Sequence, residues 1–376
     1  MRIAVISPNF PTKRSISFMF LEQLCREFAN QGHKVIVVAP QSITKLIKKR
    51  SVPEKVKTTV YTSNGNEIVV YRPYYISWGN SRFTTLQLCK VVYKTLNKYA
   101  KDCDVVYGHF WESAYAGLGF ASKYEKPLFA VAGEDYIIFD QFLRENEKEE
   151  LRKKTKGVIC VSTKSREETL KHQLSFENRC EIIPNAINPQ LFYVKDKKQL
   201  RKKLRIQEDV FVVAFVGQFS ERKGPLRLCE ALNRIGNPQI KAFFLGSGPQ
   251  DPVYSNTLVK GTINHDELPD YLNASDAFVL PTLSEGCCNA MIEAMACGLP
   301  IISSDASFNW DVLNETNSIL IDPNSVSQIQ DSILKLYNDK QLRDKLASGA
   351  KETATGLTLK KRAERIVSFI SKSIRV

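Results

Sequence analysis

Glu285 and Glu293 bracket the stretch Gly286, Cys287, Cys288, Asn289, and these residue types at this spacing can grip an anion. An apolar run ends at Pro281, and a short helix is predicted to begin with Asn289 as its N-cap. Met291, Ala294 and Met295 give that helix its apolar spacing, and Gly298 followed by Pro300 stops it. Free backbone N–H groups at such a start point forward and favour a phosphate. Glu293, four residues on from Asn289, shares its face one turn deeper, where a carboxylate accepts hydrogen bonds from a ribose diol. Glu285 stands before the helix, beside a glycine that lets backbone come close to a ligand. A glutamate on a helix is ordinarily just solvated. Glu293, however, is flanked by Met291, Ile292, Ala294, Met295 and Ala296, so its charge needs a partner.

A second group of charges falls in GQFSERKG, 217–224, between a predicted strand and a predicted helix. Arg222 and Lys223 there suit a diphosphate clamp that needs no metal. His109 ends another strand, where an imidazole can hydrogen-bond a sugar hydroxyl, and Glu134 and Asp135 follow a strand end as candidates for acceptor hydroxyls. The turn GSGP, 246–249, is expected only to shape the ligand site, and His33, His172 and His265 are read as structural. No Walker loop, serine nucleophile elbow, G-x-G-x-x-G turn after the first strand or metal-spaced His/Cys/Asp cluster is present. That weighs against ATPases, hydrolases and dehydrogenases.

The elements that would position these residues alternate. Apolar strands are predicted at 2–7, 33–39, 67–72, 104–108, 127–132, 157–162 and 181–184, then at 211–216, 241–245, 258–261, 277–281, 300–304 and 318–321, with helical patterns between them. Strand, helix, strand within forty residues implies parallel sheets with right-handed crossovers, and ligands then lie at the carboxyl edges of the strands. The chain is too long, at 376 residues, for one ordinary core. The expected architecture is α/β, two doubly wound Rossmann-like domains facing a central crevice. The domains are placed at 1–195 and 196–356. A charged linker is expected around 196–209, and a last helix, about 357–376, is expected to pack back on the first domain.

Composition narrows the setting. The content of 43% hydrophobic and 25% charged residues is that of a soluble globular chain. The opening MRIAVISPNF reads as a strand and turn rather than a signal peptide, and no apolar run approaches the roughly 20 residues of a membrane span. Nine cysteines, an odd number without metal spacing, fit a reducing cytosol. The net charge of +13 is concentrated at 45–50, 152–156, 195–205 and 360–365. These clusters lack the interleaved aromatics of a nucleic-acid site. The first, KLIKKR, sets Leu46 and Ile47 among cations and suits an anionic membrane surface, so a cytoplasmic and peripheral location at the inner face of the membrane is expected.

These residues together resemble the retaining glycosyltransferases of family 4, which have the GT-B fold. EGCCNAMIE, 285–293, looks like that family's E-x7-E motif, followed by AMACGLPIISSD. IPNAIN, 183–188, resembles the motif before its domain linker, and GQFSERKG its phosphate-binding turn. The resemblance implies that Glu293 holds the ribose hydroxyls of a nucleoside diphosphate sugar and that Arg222 and Lys223 hold the diphosphate. It further implies that Glu285 and the amides of Gly286, Cys287 and Cys288 hold the donor sugar, that the amide of Asn289 reaches the distal phosphate, and that His109 lies near the donor sugar, with His109 and Glu285 as the catalytic pair. Transfer would retain the anomeric configuration, without metal or cofactor, to a saccharide or lipid-linked acceptor in cell-surface polysaccharide or glycolipid biosynthesis. Three positions depart from the pattern: Gln218 replaces an arginine, Ala132 a histidine, and SPNFPTKRS lacks a glycine pair. A GT-B nucleotide-sugar epimerase and a two-lobed solute-binding protein are the alternatives.

Overall fold

In the computed structural model, residues 1–12, 15 and 17–375 are described; Lys13, Arg14 and Ile16 of the predicted first loop lie outside them. The chain divides into two compact units, Met1–Ile183 with Leu359–Val376, and Pro184–Thr358.

The first unit is built on an eight-stranded sheet. In spatial order its strands are Cys180–Ile182, Thr155–Cys160, Leu128–Ala132, Val105–His109, Arg2–Ile6, Lys34–Val38, Glu67–Tyr71 and Lys57–Tyr61. All pairs are parallel except the last, where Lys57–Tyr61 runs antiparallel to Glu67–Tyr71. Central strands such as Val105–His109 and Leu128–Ala132 are buried at every position, because helices cover both faces, and so they read as unbroken apolar runs. The last helix, Leu359–Arg375, belongs to this unit. Arg362 donates to the carbonyl of Ile183 at 2.7 Å, and Phe369 meets the ring of Phe129 edge-on.

The second unit carries six parallel strands in the order Thr257–Gly261, Ile240–Leu245, Phe211–Val216, Ala277–Leu280, Ile301–Ser304 and Ser318–Ile321. In each unit the first strand has neighbours reached by chain running in opposite directions across the sheet: Lys34–Val38 and Val105–His109 flank Arg2–Ile6, and Ile240–Leu245 and Ala277–Leu280 flank Phe211–Val216. At such a switch point the loops leaving the carboxyl ends diverge and leave room for a ligand.

Two expectations need correction here. The first unit ends at Ile183 rather than at 195, because the stretch after it is tied to the second unit. The Ile187 amide donates to Leu357 O at 2.8 Å, Asn185 to Cys287 O at 3.0 Å, and the Lys195 amide to Asn273 at 2.7 Å. The charged run at 196–209 is likewise no free linker. It holds the helix Lys197–Lys203, capped by Asp196, and the helix's cations together with the preceding Lys195 close on two aspartates: Lys195 and Lys203 on Asp270, Lys197 and Arg201 on Asp276. Four of the seven cations in this basic cluster, 195–205, are therefore paired within the fold.

Candidate functional site

In the second unit the switch point gathers eight of the residues singled out above. The turn after Phe211–Val216 and the loop after Ala277–Leu280 are stitched together by backbone: the Arg222 carbonyl accepts from the Leu283 amide at 2.7 Å and from the Thr282 hydroxyl at 3.2 Å. Their side chains converge on one oxygen. Glu285 Oε1 lies 3.1 Å from Arg222 Nη1, 2.5 Å from Lys223 Nζ and 2.9 Å from Thr282 Oγ1. Glu285 is 6% exposed, so the two cations stabilise a charge that could not stay buried alone. Burial opposes the charge on Lys223, but its neighbours Cys288 and Glu285 outweigh that and hold its pKa above the ordinary lysine value. Burial pushes the Cys288 thiol up to about 11, against the pull of Lys223.

The glycine turn at 246–248 braces this arrangement. A Cβ on Gly246 would stand 1.9 Å from the Gly217 carbonyl oxygen, and one on Gly248 2.3 Å from that of Phe219. Only glycine lets the two turns approach this closely.

The helix spans Asn289–Ala296. Its N-cap is Cys288, not Asn289, which is the first helical residue. The side chain of Cys288 makes no capping hydrogen bond. The first N–H groups thus keep their capacity for an anion. The Asn289 Oδ1 is buried with no hydrogen-bond partner among the described residues. Gly286, Cys287 and Cys288 form the buried bend between Glu285 and the helix, and Asn185 fixes it through Cys287 O. Asn185 lay in a recognised motif, but its partner is 102 positions away, and no local pattern reveals that pairing. The second surprise is His265. Its Nε2 lies 3.1 Å from Glu293 Oε1, so a histidine read as structural stands on the ribose-binding candidate.

His109, Glu134 and Asp135 lie in the first unit, at the carboxyl ends of Val105–His109 and Leu128–Ala132. His109 is 3% exposed, ringed by Phe18, Phe20 and Phe110, and neither ring nitrogen has a partner among the described residues. Burial, reinforced by Arg362, pushes its pKa down to about 3, so it is a neutral imidazole. Glu134 has a structural task. Its Oε1 accepts from the Trp111 amide at 2.7 Å and its Oε2 from Gly133 at 3.0 Å. It thereby supplies the helix Trp111–Lys123 with the cap that Phe110, at φ 74°, does not give. Burial raises its pKa to about 7, against the pull of those amides. Asp135 is half-buried, and its carbonyl accepts from Lys164 at 2.5 Å. Among the described residues no cluster of three or more His, Cys, Asp or Glu is arranged to hold a metal.

Two family models match the chain: Glycosyltransferase Family 4 over residues 19–191 and Glycosyl transferases group 1 over residues 196–353. Among curated proteins the chain is similar to a putative teichuronic acid biosynthesis glycosyltransferase, TuaC, of Bacillus subtilis. The identity is 25% over 372 residues, covering 94% of this chain and 93% of the relative. It is also similar to the Escherichia coli UDP-Gal:alpha-D-GlcNAc-diphosphoundecaprenol alpha-1,3-galactosyltransferase. There the identity is 28% over 230 residues, covering 56% of this chain and 59% of that one. Among solved structures, sucrose-phosphate synthase from Thermosynechococcus elongatus superposes with a TM-score of 0.78 at 20% identity over 100% of this chain and 99% of that one. Anabaena HepE in complex with UDP does so with a TM-score of 0.75 at 17% identity over 99% and 100%. With the parallel-sheet units, these matches place the chain among the glycosyltransferases of family 4, enzymes of the GT-B fold.

Proposed function

We propose that this glycosyltransferase moves a hexose from a uridine diphosphate sugar to a saccharide or lipid-linked acceptor, with retention at the anomeric carbon and without a metal, in the making of a cell-surface polysaccharide or glycolipid. The observation that carries this reading is the convergence of Arg222 and Lys223 on Glu285, beside a helix start whose N-cap side chain makes no capping hydrogen bond. Cleavage of the bond between the anomeric carbon and the phosphate oxygen leaves a second negative charge on the distal phosphate. Two cations and forward-pointing amides stabilise that charge as it develops. In this scheme Arg222 and Lys223 turn from Glu285 toward the diphosphate, Glu293 holds the ribose diol, and the Asn289 amide meets the distal phosphate. Glu285 and the amides of Gly286, Cys287 and Cys288 then face the sugar. The acceptor oxygen bonds to the anomeric carbon on the face the diphosphate leaves, and its proton passes to the departing phosphate oxygen. His109, neutral at any working pH, serves as a hydrogen-bond partner for a sugar hydroxyl. The names of the two curated relatives, one giving a UDP-galactose donor and a diphosphoundecaprenol acceptor, the other teichuronic acid, favour this donor and acceptor class. The acceptor sits on the first unit, with Glu134 and Asp135 at its edge.

A panel of nucleoside diphosphate sugars offered with a diphosphoundecaprenol-linked saccharide, in EDTA, tests this. Product mass and the anomeric proton coupling should report one added hexose with the donor's configuration. Donor converted to another sugar without acceptor, or transfer only when a divalent ion is restored, contradicts it.

We also place the protein at an anionic membrane face. No helix among the described residues is long and apolar enough to cross a membrane, but a surface is available for docking. The helix Ile43–Lys48 buries none of its residues. Ser42 and Thr44 at its start bond Ser77 at 2.5 Å and 2.9 Å, which sets Ile47, 72% exposed, and Trp78, 79% exposed, on one region with Lys45, Lys48, Lys49 and Arg50. Cations draw such a surface to anionic headgroups, at about 1 kcal/mol each, and the apolar side chains enter the headgroup region. Cosedimentation with vesicles rich in anionic lipid should be salt-sensitive and lost when all four cations become glutamine. Equal pelleting of the quadruple variant overturns the docking surface.

A further inference from the structure

We propose that His265 is a positioning residue for donor binding, which turns the Glu293 carboxylate toward the ribose hydroxyls and ties donor affinity to its own protonation. This rests on the reading of Glu293 as the ribose-binding carboxylate. The geometry is specific. Glu293 projects from a helix whose Met291, Ile292, Ala294 and Met295 are fully buried, and its own side chain is 12% exposed. Among the described residues His265 is the single side chain that hydrogen-bonds its carboxylate, and it does so at Oε1. A carboxylate has acceptor sites on both oxygens, so this contact fixes the plane of the group and leaves Oε2 for a diol. His265 is held in turn: the edge of the Phe192 ring packs against it at 5.3 Å, and its carbonyl accepts from the Leu268 amide at 3.3 Å.

The charges around the imidazole set the sign of the coupling. Glu293 faces it from the helix, Asp266 adjoins it in its own loop, and Asp270 on the following helix is already paired with Lys195 and Lys203. The hydrogen bond that His265 donates to Glu293 outweighs partial burial and holds the His265 pKa above the ordinary 6.5. The imidazolium is therefore fully present below that value and is lost as pH rises through the raised one. A donor bearing two phosphate charges binds better when the carboxylate beside it carries a counter-charge. Its affinity should fall as His265 loses its proton, and bound donor should in turn raise the His265 pKa further.

The test uses the full chain and UDP-glucose, whose two phosphate groups each keep a single charge over the range studied. Calorimetric Kd from about pH 6 to about pH 8.5 should weaken severalfold for the wild type. His265→Ala should bind about tenfold more weakly at the low end and show a flat profile. His265→Gln, which restores a donor near the Nε2 position, should recover most of the affinity while remaining flat. NMR titration of His265 should show an upward pKa shift on adding UDP-glucose. A His265→Ala profile that matches the wild type overturns the proposal, as does a sloping profile in His265→Gln. If Glu293→Ala binds as the wild type does, or the wild type does not bind, the ribose reading itself has failed and this inference with it. If Glu293→Ala loses binding but His265→Ala does not, only the role of His265 has failed.

Discussion

Glu293→Ala and Lys223→Ala each lower affinity for UDP and its sugars by about 2–4 kcal/mol, roughly 30- to 1,000-fold, with thermal unfolding still cooperative. For Glu293 the loss is that of a buried charged acceptor for two hydroxyls, and hydrogen bonds to charged groups are the strong ones. Its removal frees His265, which is 38% exposed and can turn to water, so the fold suffers little. Lys223 differs. It is nearly buried and pairs with Glu285 at 2.5 Å, so Lys223→Ala both removes a diphosphate ligand and leaves Glu285 to Arg222 and Thr282. Some loss of melting temperature should accompany the loss of affinity, and Lys223→Gln should lessen the former without restoring the latter. Because the diphosphate gains charge as the glycosidic bond breaks, Lys223 variants should lose kcat as well as affinity, whereas Glu293 variants should lose mainly affinity. Calorimetry beside steady-state kinetics separates the two patterns. Unchanged affinity in both variants contradicts the assigned roles.

Asp276→Ala destabilises the second unit by about 3–5 kcal/mol, a large part of the usual margin of a folded domain. Asp276 accepts at 2.6 Å from Arg201, at 2.5 Å from Lys197 and at 2.7 Å from the Val212 amide, which leads into the central strand. Arg201 is 5% exposed, and its other donors go to the carbonyls of Ala274, Glu208 and Val210. Its guanidinium cannot follow the missing carboxylate into water, so a buried charge is left uncompensated. Lys197, whose pKa burial already lowers against the pull of Asp276, loses the carboxylate that favours its charged form. Asp276→Asn should cost less, since an amide oxygen still serves Val212. Urea unfolding followed by tryptophan fluorescence and circular dichroism measures this; a loss below about 1 kcal/mol would show that the cluster is a surface pairing of little consequence.

The same cluster shows where sequence reading ran out. Strands such as Phe211–Val216 were legible because both faces are covered and the residues are apolar throughout. The strand Lys57–Tyr61 was missed because it is an edge strand that buries none of its residues, leaving a polar KTTVY. The run at 195–205 looked like a linker because its cations carry no apolar period, and the aspartates they serve lie 67 to 79 positions along the chain.

In the site, residue types and spacing pointed to the anion-gripping stretch, since glycine, a helix start and paired cations are local signals. The contacts that set its geometry are not local. His265 meets Glu293 across 28 positions, and Glu285 takes both cations across more than 60. The cap position shifted by one residue because Cys288, at φ −75° and ψ 108°, is the last extended residue and Asn289 is already helical. Glu134 was singled out for acceptor hydroxyls, and no local pattern showed that its carboxylate also accepts from the Trp111 amide, 23 positions away.

The most direct test is a crystal structure of the protein with UDP. The distal phosphate should lie on the Asn289 amide, within hydrogen-bond reach of Arg222 and Lys223, with the ribose diol on Glu293. A diphosphate bound away from the start of the helix Asn289–Ala296, with both cations still closed on Glu285, would contradict it.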